Sequence, residues 1–357
     1  MRYDSVQLPH DPAGIDAQFL TDALRAGGSD ARITGARIVD MVRGTCTKMR
    51  VALDYAPGSD PSLPPTMVIK TGFEPHSERM DFMYQQEARF YAELAPRLGL
   101  NVPRAFYAGR DPDSWRALVL MEDLVRRDVE FCSAQRPFDF AHLARRLRML
   151  AGMHARTWAS PDVADDGALG WVQMRFSPTS WAYNNYYLEP ETWQRFIDSP
   201  RGAAVSRRLH DREWMRHALE RLAELEAGDP LCIIHGDTHP GNLYLDADGT
   251  PGFLDPMASR ASWWLEVAYH VVASLDIADR RGWEQALLAG YLRDLAEFGV
   301  SPPTFDEAWL RYRQSIAYGY FIFIINETKF QPEAVNTAYT ARFGIAAVDH
   351  DIFALLK

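Results

Sequence analysis

The chain has 357 residues, which is long enough to bury a large core and suggests two domains or lobes. With 47% hydrophobic and 24% charged residues, it has the composition of a globular protein and not that of a disordered chain. Its formal net charge of −10 argues against nucleic acid or an anionic membrane as the main partner.

The three cysteines, Cys46, Cys132 and Cys232, are widely spaced and odd in number, so the sequence predicts no disulfide framework and no zinc cluster. This fits a reducing cytoplasm. Residues 1–5 lack the apolar core of a signal peptide. The longest apolar run, residues 316–325, is too short to cross a bilayer and predicts a buried helix. We therefore expect a cytoplasmic protein with no membrane partner.

The first part of the chain is predicted to be one helix followed by strands. Residues 13–26 have helical apolar spacing, and a glycine pair ends the pattern. Strand-like runs follow at residues 33–42, 48–55 and 66–70. The third run ends in Lys70, and a lysine that merely ends a strand is most often an exposed edge residue.

A second helix and two more strands are predicted next. Residues 82–98 have helical spacing and carry Glu87, although an acid on a helix is usually solvated. Residues 104–109 and 116–121 have strand patterns around a turn. Five strands therefore precede residue 122.

The remainder of the chain is predicted to be mainly helical. An amphipathic helix is expected at residues 139–158, with Asp139 as its N-cap. Residues 170–196 are rich in aromatic side chains whose irregular spacing predicts a loop-rich insert. Two tail helices, residues 305–328 and 333–356, complete the chain.

The densest group of polar residues lies in residues 231–245, where two short apolar runs flank a loop. The loop contains Asp237 and Asn242, and a further apolar run ends in Asp255. We expect a hairpin-like pair with the first two residues on its loop and Asp255 just past its second arm. One carboxylate would accept a proton, while an amide oxygen and a second carboxylate would suit Mg²⁺. These groups are typical of a phosphoryl-transfer site.

The segment His235-Gly236-Asp237-x-His239-x-x-Asn242, followed by Leu254-Asp255, resembles the catalytic and metal-binding segments of the aminoglycoside phosphotransferase and choline kinase family. Residues 119–124 and the tail look closest to its ecdysteroid-kinase-like branch. The resemblance implies an α+β, bilobal, protein-kinase-like fold. Its N-lobe, residues 1–121, would be a small five-stranded antiparallel sheet with one main helix, and its C-lobe, residues 122–357, would be mostly helical.

Two positions depart from the protein-kinase pattern. Gly236 stands where protein kinases have an arginine that holds a phosphorylated activation loop, which implies a site that is always formed. Pro256 follows Asp255 in place of an aromatic residue and glycine, so we do not expect this segment to flip in and out.

The resemblance assigns roles to the matching residues. Asp237 would orient and deprotonate the acceptor hydroxyl, and Asn242 and Asp255 would hold Mg²⁺. Lys70, paired with Glu87, would bind the phosphates of ATP.

Other matching positions would bind the rest of the nucleotide. Gly44 and Thr45 lie where the family contacts the phosphates, although an ordinary hairpin turn is an open alternative for them. Met121, Glu122 and Leu124 lie in the segment that resembles the hinge. The hinge backbone would hydrogen-bond the adenine edge, with Met121 and Leu124 on either side of the base.

Several polar residues are interpreted as structural. His235 would brace the loop, and we expect His154 to be a core residue. Glu266 stands where the family has an aspartate that braces the loop backbone. Because glutamate is one methylene longer, we expect water to mediate that contact. His239 is left open between a loop brace and a group near the phosphates.

The aromatic insert is the candidate acceptor site. Trp181, Tyr183, Tyr186 and Tyr187 could form walls for an apolar or cationic acceptor, or could simply be part of the core.

The sequence therefore predicts an ATP- and Mg²⁺-dependent small-molecule kinase with an alcohol acceptor. A hydroxylated apolar natural product, such as a steroid or macrolide, is favoured, and an aminoglycoside or amino alcohol comes next. One alternative is a pseudokinase that binds a ligand without transfer. Another is a metal-dependent hydrolase that uses His235, Asp237 and His239 as zinc ligands.

Overall fold

The structure is a computed structural model and describes residues 6–357. The first five residues, in which the sequence shows no signal-peptide core, lie outside the described residues. The chain divides into two compact units, each made of two separate stretches. Unit 1 comprises Met1–Glu130, as far as it is described, and Leu245–Met257. Unit 2 comprises Phe131–Tyr244 and Ala258–Lys357.

The described residues form strands and helices whose bounds are as follows. The strands are β1 (Ile33–Arg43), β2 (Thr47–Tyr55), β3 (Thr66–Thr71), β4 (Ala105–Arg110), β5 (Ala117–Glu122), β6 (Glu130–Phe131), β7 (Leu231–Ile234), β8 (Leu243–Leu245), β9 (Pro251–Phe253) and β10 (Ser259–Ser262). The α-helices are α1 (Ala17–Ala26), α2 (Asp81–Arg89), α3 (Ala95–Leu98), α4 (Phe140–Ala155), α5 (Pro178–Tyr187), α6 (Pro190–Ile197), α7 (Pro200–Ala203), α8 (Arg212–Gly228), α9 (Trp263–Ser274), α10 (Ile277–Glu297), α11 (Phe305–Ile325), α12 (Glu333–Asp349) and α13 (Ile352–Leu355). None of the helices within residues 6–357 is both long and apolar enough to cross a membrane.

Unit 1 is built on a five-stranded antiparallel sheet in the order β1-β2-β3-β5-β4. In β2 the side chains alternate, with Met49, Val51 and Leu53 buried, as expected for a sheet that has one face on a core. The five-stranded antiparallel sheet predicted from the sequence is therefore confirmed.

Helix α1 covers the core face of this sheet. Asp16 caps the helix by accepting a hydrogen bond from the Phe19 N–H at 2.8 Å. Leu20 and Leu24, one turn apart, are fully buried in the core cluster of the sheet. The helix ends at Gly27, where a Cβ atom would lie only 1.7 Å from the Phe106 carbonyl oxygen, so only glycine allows this close approach.

The single helix predicted at residues 82–98 is interrupted. Helix α2 ends at Arg89, a π-helical turn covers Phe90–Leu94, and α3 follows. In the turn the Ala95 N–H donates to the Phe90 carbonyl, five residues back. Because Pro96 has no N–H, it cannot donate the next hydrogen bond of a regular α-helix, and this accounts for the irregular hydrogen bonding just before it.

Unit 2 is mostly helical. Helix α4 begins where the sequence predicts it, with the Asp139 carboxylate accepting from the His142 N–H at 2.7 Å. Helix α11 begins with a capping box between Thr304 and Glu307. Helix α9 is buried along its whole length and carries Glu266 and Tyr269.

Two predictions for this unit are wrong in part. The predicted hairpin is wrong in one part, because β7, which precedes the loop of Asp237 and Asn242, pairs with β10. Strand β8 does lie beside β9, and Asp255 follows this second arm as predicted. Residues 170–196 are less loop-rich than predicted, since α5 and α6 occupy most of the stretch from residue 178 onward. Each of these helices has proline at its first position, where a missing N–H costs nothing. Pro178 and Pro190 therefore each start a helix.

Candidate functional site

A cluster of four charged side chains lies in unit 1. Lys70 is on β3, and its side chain is only 10% exposed. Its Nζ atom lies 2.6 Å from Oε1 of Glu87, which is buried on α2. The same Nζ lies 2.9 Å from Oδ1 of Asp255. The lysine and the acid that the sequence paired are thus in contact.

Lys48 is the fourth member of this cluster. Its Nζ lies 2.8 Å from Oδ2 of Asp255, so each carboxylate oxygen of Asp255 faces a different lysine. Lys48 and Lys70 are register partners on β2 and β3. Lys48 was not identified from the sequence, although strand alternation signals it, because the buried residues Met49 and Ile69 put both lysines on the opposite face of the sheet.

The electrostatics of the cluster favour the ionised forms of Asp255 and Lys70. Desolvation by itself would raise the pKa of Asp255, but the charges of Lys48 and Lys70 lower that pKa well below its usual range. Desolvation would likewise lower the pKa of Lys70, but Asp255 and Glu87 raise it well above its usual range. At neutral pH, Asp255 is therefore an anion held between two cations.

A polar network fixes the stretch of unit 1 that carries Asp255. Arg127 Nη2 lies 2.5 Å from Asp246 Oδ1, and Asn101 Nδ2 donates to Asp246 Oδ2 at 2.7 Å. The Phe253 N–H donates to the Asn101 carbonyl at 2.9 Å. These bonds tie the residues before Asp255 to the rest of unit 1. Asp255 itself has φ of +50°, a left-handed conformation that is uncommon for a residue other than glycine.

The residues predicted for the hinge lie at the end of β5 and just after it. Met121 and Leu124 are buried. The Glu122 N–H donates to the Arg104 carbonyl at 2.9 Å, and its carboxylate accepts from Arg127 Nη1 at 2.7 Å. Thus the side chain of Glu122 belongs to the network that holds the Asp255 segment.

The turn between β1 and β2 contains Gly44 and Thr45. The Gly44 N–H donates to the Cys46 carbonyl at 3.1 Å, and the Thr45 carbonyl accepts from the Tyr84 hydroxyl at 2.6 Å. A Cβ at Gly44 would meet no atom within 4 Å, so this glycine is not required for packing. The Cys46 thiol is buried, and burial raises its pKa to about 11. It is therefore a poor nucleophile.

The loop that follows β7 in unit 2 carries Asp237. The carboxylate accepts two hydrogen bonds, from the Tyr269 hydroxyl to Oδ1 at 2.8 Å and from Asn242 Nδ2 to Oδ2 at 2.8 Å. Asn242 Nδ2 also donates to the Asp237 carbonyl at 3.0 Å. These bonds hold the carboxylate in one orientation. Tyr269 was not identified from the sequence.

Glu266 braces the backbone of the same loop. Its carboxylate accepts from the Gly236 N–H at 2.6 Å and from the His235 N–H at 3.2 Å. The prediction that water mediates this contact is therefore wrong, because the longer glutamate reaches the backbone directly. Gly236 has φ of +85°, which glycine adopts without strain. Arg175 Nη2 donates to the Gly236 carbonyl at 2.5 Å, so both sides of this residue are fixed.

A buried histidine orients Glu266. His154 Nε2 lies 2.8 Å from Glu266 Oε2, and His154 Nδ1 lies 2.8 Å from the Tyr291 hydroxyl. Burial by itself would raise the pKa of Glu266, but the bond from His154 and the contact with Gly236 lower it. The interpretation of His154 as a core residue agrees with its complete burial.

The two histidines of the loop are engaged in its internal structure. His235 is buried, and its Nδ1 accepts from the Asp237 N–H at 3.3 Å. His239 Nδ1 accepts from the Gly241 N–H at 3.0 Å, and its Nε2 lies 3.1 Å from Gln331 Nε2. Across residues 6–357, no group of three or more His, Cys, Asp or Glu side chains is arranged to hold a metal ion. The zinc-hydrolase alternative therefore receives no support from this loop.

The donors predicted for Mg²⁺ suit that ion chemically. Asn242 turns its Nδ2 toward two acceptors on Asp237, which directs its amide oxygen the other way. Asp255 offers an ionised carboxylate. Carboxylate and amide oxygens are the hard ligands that Mg²⁺ prefers.

The aromatic residues of the insert differ in exposure. Tyr186 and Tyr183 are 56% and 45% exposed, whereas Tyr187 is buried and donates to Glu327 Oε1 at 2.9 Å. Trp181 is partly buried and packs on Phe176, with ring centroids 6.0 Å apart. Tyr183 and Tyr186 therefore have the most surface to offer a ligand.

A continuous series of ring contacts runs from the insert toward Asp237. Phe176, the neighbour of Trp181, lies 6.3 Å from Tyr318, and Tyr318 lies 6.3 Å from Tyr269, measured between ring centroids. Tyr269 is the residue that hydrogen-bonds Asp237. The insert and the Asp237 carboxylate thus belong to one packed assembly within unit 2.

Comparison with known proteins agrees with the geometry of both units. A model of the phosphotransferase enzyme family (APH) matches residues 74–307, more than half of the chain. No curated protein matches the chain. The structure is similar to a choline kinase from Cryptosporidium parvum Iowa II, with a TM-score of 0.53, 12% identity, and coverage of 89% of this chain and 90% of that chain.

Two further solved structures are similar. One is a microcompartment-associated aminopropanol kinase, with a TM-score of 0.50, 14% identity, and coverage of 94% of this chain and 99% of that chain. The other is a macrolide 2'-phosphotransferase from Brachybacterium faecium, with a TM-score of 0.44, 16% identity, and coverage of 91% and 97%. At these identities the similarity concerns the fold, and the two kinases with TM-scores of 0.53 and 0.50 confirm the predicted kinase-like fold. Given the match over residues 74–307, this chain belongs to the phosphotransferase enzyme family.

Proposed function

We propose that the protein is an ATP-dependent kinase that transfers the γ-phosphoryl group to a hydroxyl of a small acceptor. The observation that carries this proposal is the Asp237 carboxylate, held by Tyr269 at one oxygen and by Asn242 at the other. A carboxylate fixed in this way can orient a hydroxyl and accept its proton.

In the proposed reaction the acceptor oxygen forms a bond to the γ-phosphorus. The bond between that phosphorus and the oxygen bridging to the β-phosphate breaks, and ADP leaves. The hydroxyl proton passes to a carboxylate oxygen of Asp237. The transition state is loose, so most of the rate comes from positioning and from neutralising charge.

Unit 1 supplies the groups for the nucleotide. Lys70, fixed by Glu87 at 2.6 Å, would bind the phosphates. Asp255 would be a carboxylate ligand of Mg²⁺, which when bound neutralises charge on the phosphates. The hinge around Met121, Glu122 and Leu124 is the proposed contact for the base, although the Glu122 N–H is already engaged by the Arg104 carbonyl and is not a donor to the base. The turn at Gly44 and Thr45 is the proposed contact for the phosphates.

The acceptor is proposed to lie against the aromatic insert. The exposed rings of Tyr183 and Tyr186 favour a hydroxylated apolar compound, such as a steroid or macrolide. The nearby Glu327 carboxylate does not favour a cation strongly, because Lys329 Nζ lies 3.3 Å from it. Amino alcohols and aminoglycosides come next, and the similarity in fold to a choline kinase and an aminopropanol kinase is a reason to include them in a screen.

A pseudokinase is the remaining alternative. It is disfavoured because Lys70, Asp237, Asn242 and Asp255 are all present, whereas a pseudokinase typically lacks at least one of these groups.

The test is a screen in which purified protein, Mg²⁺ and γ-labelled ATP are incubated with hydroxylated steroids, macrolides, aminoglycosides and amino alcohols. The proposal expects transfer of label to at least one class, at a rate far above that without acceptor. If the protein binds MgATP and an acceptor but transfers no label, it is a pseudokinase. If it binds no nucleotide, the kinase proposal is wrong.

A further inference from the structure

Lys48 is a charged residue of unit 1 that belongs to none of the sequence motifs. It lies on β2 opposite Lys70 on β3, and both side chains leave the sheet on the face opposite the buried Met49 and Ile69. Their amino groups contact different oxygens of Asp255, at 2.8 Å for Lys48 and 2.9 Å for Lys70.

The two lysines differ in how firmly they are held. Lys70 is 10% exposed and is shared between Glu87 and Asp255. Lys48 is 44% exposed, and within residues 6–357 Asp255 is its one ion-pair partner. An exposed lysine with a single partner can change that partner at low cost, since its four-carbon stem is flexible and its ammonium donates in any direction.

The charges of the cluster balance without a ligand. The formal charges of the two lysines and of the two carboxylates, Glu87 and Asp255, sum to zero. A bound triphosphate would add negative charge to this cluster. A metal ion bound by Asp255 would use at least one of its two carboxylate oxygens, each of which now contacts a lysine, so one lysine would have to leave. Because Lys70 is also fixed by Glu87, Lys48 is the cation that is free to move to the phosphates.

We propose that Lys48 is a second phosphate-binding lysine, which Asp255 holds beside Lys70 until a nucleoside triphosphate binds. This inference rests on the proposed function, because it takes the cluster to be the phosphate site of an ATP-dependent enzyme. Lys48 then contributes to the binding of ATP but not to the binding of AMP, because AMP has no β- or γ-phosphate for Lys48 to contact.

The experiment compares Lys48→Met with Arg50→Met by calorimetric titration with MgATP and with AMP. Arg50 is the matched control, because it is a cation on the same strand and the same face, two residues further along. Lys48→Arg keeps the charge and should stay close to the wild type. The ratio of ATP affinity to AMP affinity is measured within each preparation, so partly unfolded protein does not alter it.

The expected result is a loss of about 10-fold in ATP affinity for Lys48→Met, the lower end of the range for a hydrogen bond to a charged group. Its AMP affinity and both affinities of Arg50→Met should remain at the wild-type values. An equal loss for ATP and AMP would make Lys48 a structural residue and overturn the inference.

Lys70→Met separates this inference from the proposed function. If Lys70→Met weakens ATP binding and Lys48→Met does not, the inference is wrong while the kinase proposal stands. If wild-type protein binds neither nucleotide, the proposed function itself fails.

Discussion

Replacement of Tyr269 by phenylalanine removes one hydroxyl and tests how the Asp237 carboxylate is positioned. The ring of Tyr269 stacks on Phe323 at a centroid distance of 5.3 Å, and phenylalanine keeps that contact. What is lost is the hydrogen bond from the hydroxyl to Asp237 Oδ1, at 2.8 Å. Burial and the nearby Asp237 raise the pKa of Tyr269 well above its usual range, so the hydroxyl is protonated and donates at any pH of interest.

The expected loss of kcat follows from the hydrogen bonds that Asp237 keeps in this variant. A hydrogen bond to a charged group contributes about 1.5–3 kcal/mol. Asp237 keeps the bond from Asn242 Nδ2 and can rotate about it. If the transition state requires the fixed orientation, kcat should fall about 10- to 100-fold, since 1.4 kcal/mol corresponds to a factor of about ten. Binding of MgATP should not change.

The matched control is Tyr312→Phe. Tyr312 is also a buried tyrosine of unit 2, and its hydroxyl donates to the Glu284 carboxylate at 3.1 Å. Loss of either hydroxyl should lower the free energy of unfolding by about 1.5–3 kcal/mol, because both hydroxyls donate to carboxylates. For 357 residues this is a decrease in Tm of about 2–4 °C, taking an unfolding entropy of about 2.1 cal/mol/K per residue.

The assay measures kcat with the acceptor found in the screen, the Kd of MgATP and the Tm of both variants. The expected outcome is that both variants lose stability and only Tyr269→Phe loses turnover. If Tyr269→Phe turns over at the wild-type rate, or if Tyr312→Phe slows equally, the hydroxyl does not position the base and the reasoning is refuted.

Two further predictions concern the acceptor and the pH dependence of stability. Tyr186→Ala should raise the acceptor KM by a factor corresponding to about 1–3 kcal/mol and leave the ATP KM and the Tm unchanged, because the ring is exposed. Replacement of the buried Tyr187 by Ala should instead lower the Tm and affect both substrates. Equal behaviour of the two variants would assign the insert to the scaffold. Burial raises the pKa of Glu226 from 4.5 to about 7, so the folded state binds the proton of this carboxyl more tightly than the unfolded state does. The stabilisation from this proton binding is fully present below about pH 4.5 and is lost as the pH rises through 7. Glu226→Gln should therefore have little effect on the Tm at pH 4 and raise stability at pH 8 by up to about 3 kcal/mol, and equal Tm differences at the two pH values would contradict this.

Much of unit 1 could be predicted from the sequence because alternation of apolar residues marks strands with one buried face. The ends of β1, β2 and β3 lie within a residue or so of the predicted runs. The π-helical turn at Phe90–Leu94 could not be predicted, because the apolar spacing passes through it and only Pro96 signals an irregularity.

The site residues that belong to a sequence motif were identified from the sequence. Those that only the tertiary structure brings into the site were missed. The Lys70–Glu87 contact follows from a pattern that the sequence displays. Lys48 is brought to Asp255, more than two hundred residues away in the chain, by a segment that joins unit 1 from a distant part of the sequence. Tyr269 lies in a helix that is buried all round, so no apolar periodicity distinguishes its functional face.

The geometry of Glu266 shows the limit of reasoning by residue type. An extra methylene was expected to require a bridging water, yet the carboxylate accepts directly from the Gly236 N–H at 2.6 Å. The position of α9 relative to the loop decides this contact, and sequence spacing does not reveal that position. The same applies to the insert, where irregular aromatic spacing predicts loops but Pro178 begins α5.

The most direct test of the central claim is transfer of label from γ-labelled ATP to an acceptor by wild-type protein and by Asp237→Asn. Asparagine has nearly the shape of aspartate, but it cannot accept the hydroxyl proton, and a positioned base contributes about 10²–10⁴-fold to the rate. We predict that the variant binds MgATP with wild-type affinity and that its transfer rate falls by that factor. Transfer by Asp237→Asn at the wild-type rate would contradict the assignment of Asp237 as the base and with it the proposed mechanism.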